Sequence, residues 1–149
     1  MLEIISYTDG SCLGNPGVGG YAASMEAKGQ KKYCEGYEVE DTTNNRMELC
    51  AVIRVMKWCN AVQKEPCKVT FHTDSQYLID CFKHNFSDLS SSSRANHDLW
   101  VELIKETLDG HHSIDFVKVK GHNGIDRNEE VDKRAKAMAK KARHIRYGY

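Results

Sequence analysis

Hydrophobic and polar positions follow two different periods along this chain. Near the amino terminus Ile4, Ile5 and Tyr7 form a short β-prone run closed by Thr8-Asp9-Gly10. Gly14-Asn15-Pro16-Gly17 marks a loop, and Gly19-Gly20 leads into a second strand, Tyr21-Ala22-Ala23-Ser24-Met25. After Gly29, Tyr33, Tyr37 and Val39 keep to one set of alternating positions, so a third antiparallel strand completes a meander. From Asn45 the period turns helical. Met47, Ala51, Val55 and Trp58 fall on one side, widened by Val52, Met56 and Cys59, and predict a helix lying against the sheet. Val69 and Phe71 supply a fourth strand ahead of Thr73-Asp74-Ser75, and Tyr77 to Phe82 reads as a short helix. The polar, serine-rich stretch 88–94 reads as an exposed loop, and Leu99, Val101, Leu103, Ile104 and Leu108 resume a helix. Ile114, Phe116, Val117 and Val119 give a last strand, and Asn128 is placed to cap a final helix carrying Glu129, Glu130 and Asp132. A meander followed by helices interleaved with strands predicts an α/β fold, a mixed sheet covered by helices on both faces.

At 149 residues the chain has room for one core, so residues 1–149 are expected to form one domain, with a tail from about 143. Apolar stretches such as Ala51–Ile53, cut short by Arg54, fall far below the roughly 20 residues of a membrane span. The first seven residues carry neither a basic n-region nor an extended apolar h-region, so a soluble, cytoplasmic protein is expected. Six cysteines include no C-x-x-C pair, and several sit inside apolar patterns, which argues against a zinc site or a disulfide framework. Twenty-one basic residues balance 21 acidic ones, yet from Lys133 onward there are basic residues and no acid.

Four acids stand out. Asp9 and Asp74 each follow a β-run directly, in Thr-Asp-Gly-Ser and Thr-Asp-Ser-Gln; each is a candidate turn or cap residue, or one of a converging pair if the two strands are neighbours. Glu48, three residues after Asn45, approximates the capping-box partner of that residue. Asp132 can complement the start of the last helix or face solvent beside Lys133.

Taken with their contexts, these residues resemble the type 1 ribonuclease H family. Similar segments occur in the same order: Tyr7-Thr-Asp-Gly-Ser-Cys-Leu-Gly-Asn-Pro-Gly17, Thr42-Thr-Asn-Asn-Arg-Met-Glu-Leu49, Thr73-Asp-Ser-Gln-Tyr77, Asn96-His-Asp-Leu-Trp100, Val119-Lys-Gly-His122 and Asn128-Glu-Glu-Val-Asp132. The resemblance runs from Ile4 to about Ala139. It implies the ribonuclease H-like fold, a five-stranded mixed sheet flanked by helices, and an endonuclease that hydrolyses the RNA strand of RNA/DNA hybrids to leave 5′-phosphate and 3′-hydroxyl ends. Asp9, Glu48, Asp74 and Asp132 would then be the metal-binding carboxylates, holding two Mg²⁺ or Mn²⁺ ions with substrate, and His122, between Gly121 and Gly124, the loop histidine of proton transfer or product release. Gly10, Asn15, Asn44, Asn45 and Gln76 match family positions that contact the minor groove, and Thr43 and Asn96 match those that hold a DNA phosphate. The alternative use of the same fold is a catalytically inactive module that only binds the hybrid. A monomer is the natural state of such a fold.

Two departures accompany the resemblance. Asp41 stands where an arginine is often found beside the phosphate pocket, and the stretch ahead of Asn96 is shorter and less basic than in many bacterial members. Weaker hybrid binding is expected unless Lys118, Lys120 or the basic C-terminal helix compensates.

Overall fold

The computed structural model describes residues 1–83, 88, 94–119 and 126–149. Strands β1 (Leu2–Leu13), β2 (Gly17–Ala27) and β3 (Gln30–Thr42) form the meander. They are followed by α1 (Asn44–Trp58), β4 (Cys67–Thr73), α2 (Gln76–Phe82), α3 (His97–Asp109), β5 (Ser113–Lys118) and α4 (Asp126–Tyr147). The five strands lie in the order β3-β2-β1-β4-β5. β1 pairs antiparallel with β2 and parallel with β4, so the sheet is mixed, as the meander and the interleaved helices predict.

The turn between β2 and β3 has Lys28 and Gly29 both at positive φ, the two-residue geometry whose twist matches flanking antiparallel strands. One face of the sheet carries Ile4, Met25, Val69 and Phe71 into a core closed by Leu49, Val52 and Met56 of α1, Leu78 of α2 and Trp100 and Leu103 of α3. On the other face Tyr7 and Ala22 meet Val131 and Ala135 of α4. Gly20 lets that helix settle on β2, because a Cβ there would run into the Ala139 amide and the Ala135 carbonyl. Trp100 is fully buried, with its indole N–H donating to the Tyr77 hydroxyl at 3.0 Å. All six cysteines are free thiols.

Several boundaries differ from the sequence expectation. β1 does not stop at Asp9 but continues to Leu13, because the hairpin partner Gly19-Gly20 extends the ladder through Gly10↔Tyr21 and Ser11↔Gly20. Helix α1 is capped by Thr43, whose hydroxyl accepts from the Arg46 amide, and not by Asn45. A π-helical turn, Cys59–Gln63, follows it and ends at Lys64 in the left-handed region. α4 starts before Asn128 and runs to Tyr147, so the segment from 143 is helical where a tail was expected. No helix among the described residues is long and apolar enough to cross a membrane.

Candidate active site

Strand register brings the first two acids together. The parallel ladder of β1 and β4 ends with Tyr7 opposite His72, whose rings stack at 4.6 Å. Two residues further along are Asp9, still within β1 and on the face of Tyr7 by the two-residue strand period, and Asp74, just past the end of β4. There β4 ends at Thr73 while β1 continues with β2 alone, which opens a gap at the sheet's centre for side chains.

Glu48 reaches the same place from α1. It lies beyond the helix's first turn, where the capping role would need it, and is 93% buried. Gly10 makes this approach possible: a Cβ on it would stand 2.7 Å from the Glu48 amide and 2.8 Å from the Met47 carbonyl carbon. Asp9, Glu48 and Asp74 thus each offer a carboxylate oxygen within 4.8 Å of the others. Asp132, from the first turns of α4, is hydrogen-bonded to Asp9 and pairs with Lys136 at 3.0 Å.

Such crowding has an electrostatic signature. Burial, then the hydrogen bond that the protonated Asp9 carboxyl donates to Asp132, and the charge of Asp74, push Asp9 up to about 8, although the Gly10 amide donates to its Oδ1 at 3.0 Å. Burial and the charges of Asp9 and Asp74 also hold Glu48 well above the usual carboxylate range. Glu48 Oε2 is buried without a hydrogen-bond partner, a costly state for a carboxylate oxygen. An orphaned oxygen among crowded hard donors fits a divalent cation of the Mg²⁺ or Mn²⁺ type.

Around this cluster the structure disposes the other sequence candidates. Asn15, on the β1–β2 turn, accepts through Oδ1 from the Asn44 amide at 3.1 Å, tying the turn to the start of α1. Asn44 and Asn45 are exposed, as is Gln76. Gln76 accepts from Lys118 Nζ at 3.0 Å and donates to Asp80 at 2.8 Å. Lys118 also donates to the Asp74 carbonyl at 2.8 Å, so β5 braces the loop that carries Asp74. Thr43 and Asn96 are linked through Arg46, whose amide donates to Thr43 Oγ1 and whose Nη1 donates to Asn96 Oδ1. Asp41 is paired with Arg146 of α4 at 2.6 Å. His122 and Lys120 lie outside the described residues.

Sequence reasoning missed Arg46, Asp98 and Tyr77. Arg46 and Asp98 form a two-pronged pair at 2.9 and 2.7 Å, joining α1 to α3 across 52 residues of sequence. Each falls inside a quoted motif, Thr42–Leu49 and Asn96–Trp100, and that opposite charge in two matched segments was the available signal.

The RNase H family model matches residues 2–140. A ribonuclease H of Caldicellulosiruptor saccharolyticus is 43% identical over 152 residues, covering 96% of this chain and all of the relative. A ribonuclease HI of Helicobacter pylori is 45% identical over 144 residues, covering 95% of this chain and 96% of its own. Among solved structures, LC9-RNase H1, a type 1 RNase H, superposes with a TM-score of 0.81 at 27% identity, covering 95% of this chain and 74% of that one. LC11-RNase H1 in complex with an RNA/DNA hybrid shares the fold, with a TM-score of 0.71 at 19% identity over 93% of this chain and 98% of that one. Fold, acid cluster and relatives together define a hydrolytic endoribonuclease. The chain belongs to the ribonuclease H family.

Proposed function

We propose that this protein, acting as one catalytic domain, hydrolyses the RNA strand of RNA/DNA hybrids endonucleolytically, leaving 5′-phosphate and 3′-hydroxyl ends. The observation that carries the reading is the meeting of Asp9, Glu48 and Asp74 within 4.8 Å, with a Glu48 oxygen buried and unpartnered. Asp9 and Asp74 would be the main ligands of two Mg²⁺ or Mn²⁺ ions, with Glu48 and Asp132 as the further carboxylates that would hold them. When bound, the ions supply charge neutralisation and Lewis acidity for in-line displacement at phosphorus.

The chain's own residues do the rest. The Gly10 amide holds the Asp9 carboxylate, and Lys118 holds the main chain at Asp74, before substrate arrives, so less reorganisation is needed on binding. Water oxygen attacks phosphorus as the bond to the 3′ oxygen breaks; the water gives up a proton to solvent and the 3′ oxygen takes one up, leaving a 5′-phosphate and a 3′-hydroxyl. His122 is the residue we assign to proton transfer or product release at this step.

Selection of the hybrid rests on groups that read shape and the 2′-hydroxyl without demanding sequence. The Gly10 backbone and the amides of Asn15, Asn44, Asn45 and Gln76 would contact the minor groove. Thr43 and Asn96 take a phosphate of the DNA strand beside the start of α1. The Arg46 amide there is already held by Thr43 Oγ1 and the Asn44 amide by Asn15, which leaves the Asn45 N–H to an anion.

The test is cleavage of end-labelled RNA paired to DNA, with Mg²⁺, Mn²⁺ or EDTA, beside RNA/RNA and DNA/DNA duplexes and Asp9→Asn protein. Cleavage confined to the hybrid, dependent on the cation and lost in the variant, is expected. Retained hybrid binding without cleavage under either metal would replace the enzyme reading with a binding module.

A further inference from the structure

Asparagine at the start of a helix ordinarily turns its Oδ1 onto an amide of the first turn. Asn96 occupies that position of α3, in the left-handed region at φ 63°, and its side chain makes no such bond. It is turned away instead, between two partners of unlike chemistry. On one side Arg46 Nη1 donates to Asn96 Oδ1 at 3.3 Å. On the other, Asn96 Nδ2 donates to the Tyr77 hydroxyl at 3.1 Å, which also accepts from the Trp100 indole at 3.0 Å.

These partners fix which way the amide faces. A guanidinium has donors only, so a flipped Asn96 would set its NH₂ against the N–H groups of Arg46. Arg46 itself cannot swing aside freely, because both its terminal nitrogens are engaged by the Asp98 carboxylate at 2.9 and 2.7 Å. Nδ2 carries two hydrogens, and Tyr77 uses one. The second has no hydrogen-bond partner among the described residues.

We infer that Arg46 is a positioning residue for nucleic-acid binding: its side chain orients the Asn96 amide so that the second Nδ2 N–H serves a backbone phosphate beside Thr43. This rests on the proposed reading of Thr43 and Asn96 as the DNA-strand phosphate site and adds the residue that keeps that site in shape. Pre-set donors cost less to order when the anion binds than freely rotating ones.

The test compares steady-state kcat and KM on an RNA/DNA hybrid with Mg²⁺ for wild type, Asn96→Ala, Arg46→Met, Arg46→Lys and the double variant Arg46→Met/Asn96→Ala, with a thermal melt of each. Asn96→Ala is expected to raise KM about tenfold, the order of one hydrogen bond to a charged group, and to leave the dependence of log KM on log salt unchanged, because a neutral amide releases no counterion. Arg46→Met should reproduce the rise in KM, with kcat unchanged. Arg46→Lys, which keeps a donor but loses the fork that the Asp98 carboxylate grips, should recover only part of the affinity. The double variant should be no worse than Asn96→Ala, since a positioning residue has nothing left to position.

A general loss of structure would lower the melting temperature and kcat together, and would overturn the positioning role. Arg46→Met effects that multiply with those of Asn96→Ala would also overturn it while leaving the phosphate contact standing. An unchanged KM in Asn96→Ala would remove the contact itself, and the positioning role with it.

Discussion

Replacing Asp9 with asparagine should make the metal-free protein more stable while ending its activity. In the unfolded chain this carboxyl titrates near 3.8; in the folded protein burial, the Asp132 hydrogen bond and the Asp74 charge raise it to about 8. Between those values the folded state binds the proton more tightly than the unfolded state, so stability is full below the lower value and is lost as pH rises towards the upper one. At pH 7 about three pH units separate the solvent from the unfolded value, and at about 1.4 kcal/mol per unit the penalty is at most about 4 kcal/mol. Glu48 and Asp132 share the crowding, so one substitution relieves about 2 to 3 kcal/mol of it. For a chain of this size that is roughly 4 to 12 °C in melting temperature. Asparagine keeps an oxygen for the Gly10 amide and adds an NH₂ group that can donate to a neighbouring carboxylate. The assay is thermal melting in EDTA from pH 4 to pH 8, then with Mg²⁺ added at pH 7. Wild type should lose stability across that range and regain it with the cation; Asp9→Asn should be flatter, more stable at pH 7 and nearly indifferent to Mg²⁺. A variant no more stable than wild type at pH 7 in EDTA would refute the reasoning, because it would show that the acid cluster carries no stored repulsion.

Gly10→Ala places a Cβ against the backbone of Met47 and Glu48 and should cost about 1 to 3 kcal/mol by overpacking; an unchanged urea midpoint would show that α1 does not depend on this approach. Glu48→Gln should raise metal-free stability at neutral pH in the same direction as Asp9→Asn, because Glu48 too is held above its ordinary range by burial, and a fall in its EDTA melting temperature would contradict that. At the opposite end of the sheet, His112 accepts the Cys67 amide at 2.9 Å, faces Asn60 Oδ1 at 2.6 Å and is held below its ordinary value chiefly by burial. Being a base with a lowered folded value, it stabilises the protein above about pH 6.5 and ceases to as pH falls below it. In the Asp9→Asn background, adding His112→Asn should therefore lower the urea midpoint at pH 7.5 by more than it does at pH 5, which isolates the histidine from the remaining carboxylates.

Elements with one dominant period were legible from residues alone. The two-faced helix α1 follows from Met47, Ala51, Val55 and Trp58, and the β2–β3 turn from a glycine beside alternating tyrosines, because both signals arise from contacts within a few residues. Asp9 shows where local reading fails. Asp-Gly-Ser reads as a turn by composition, yet the strand continues because Gly19 and Gly20 across the hairpin complete its ladder, and a cross-strand partner 10 or so residues away outweighs weak local propensity. The cap of α1 was ambiguous for a related reason: Thr42-Thr43-Asn44-Asn45 is a run of cap-forming residues, and only the geometry of the β3 exit chose Thr43.

The acid cluster is a harder case, since each member has an ordinary local use as turn, cap or solvated charge. Their meeting depends on the register that sets Tyr7 opposite His72, a fact spread over 65 residues of chain that no local window contains. Segment-by-segment resemblance supplied it in advance; physics supplied it only once the sheet was assembled. Arg46 left only the faint signal of an opposite charge, Asp98, in a second matched segment, because its side chain works through Asn96 and Asp98, both far from it in sequence. A residue whose work is to hold other residues is defined by its partners, and its role becomes apparent only when the donors and acceptors around it are counted.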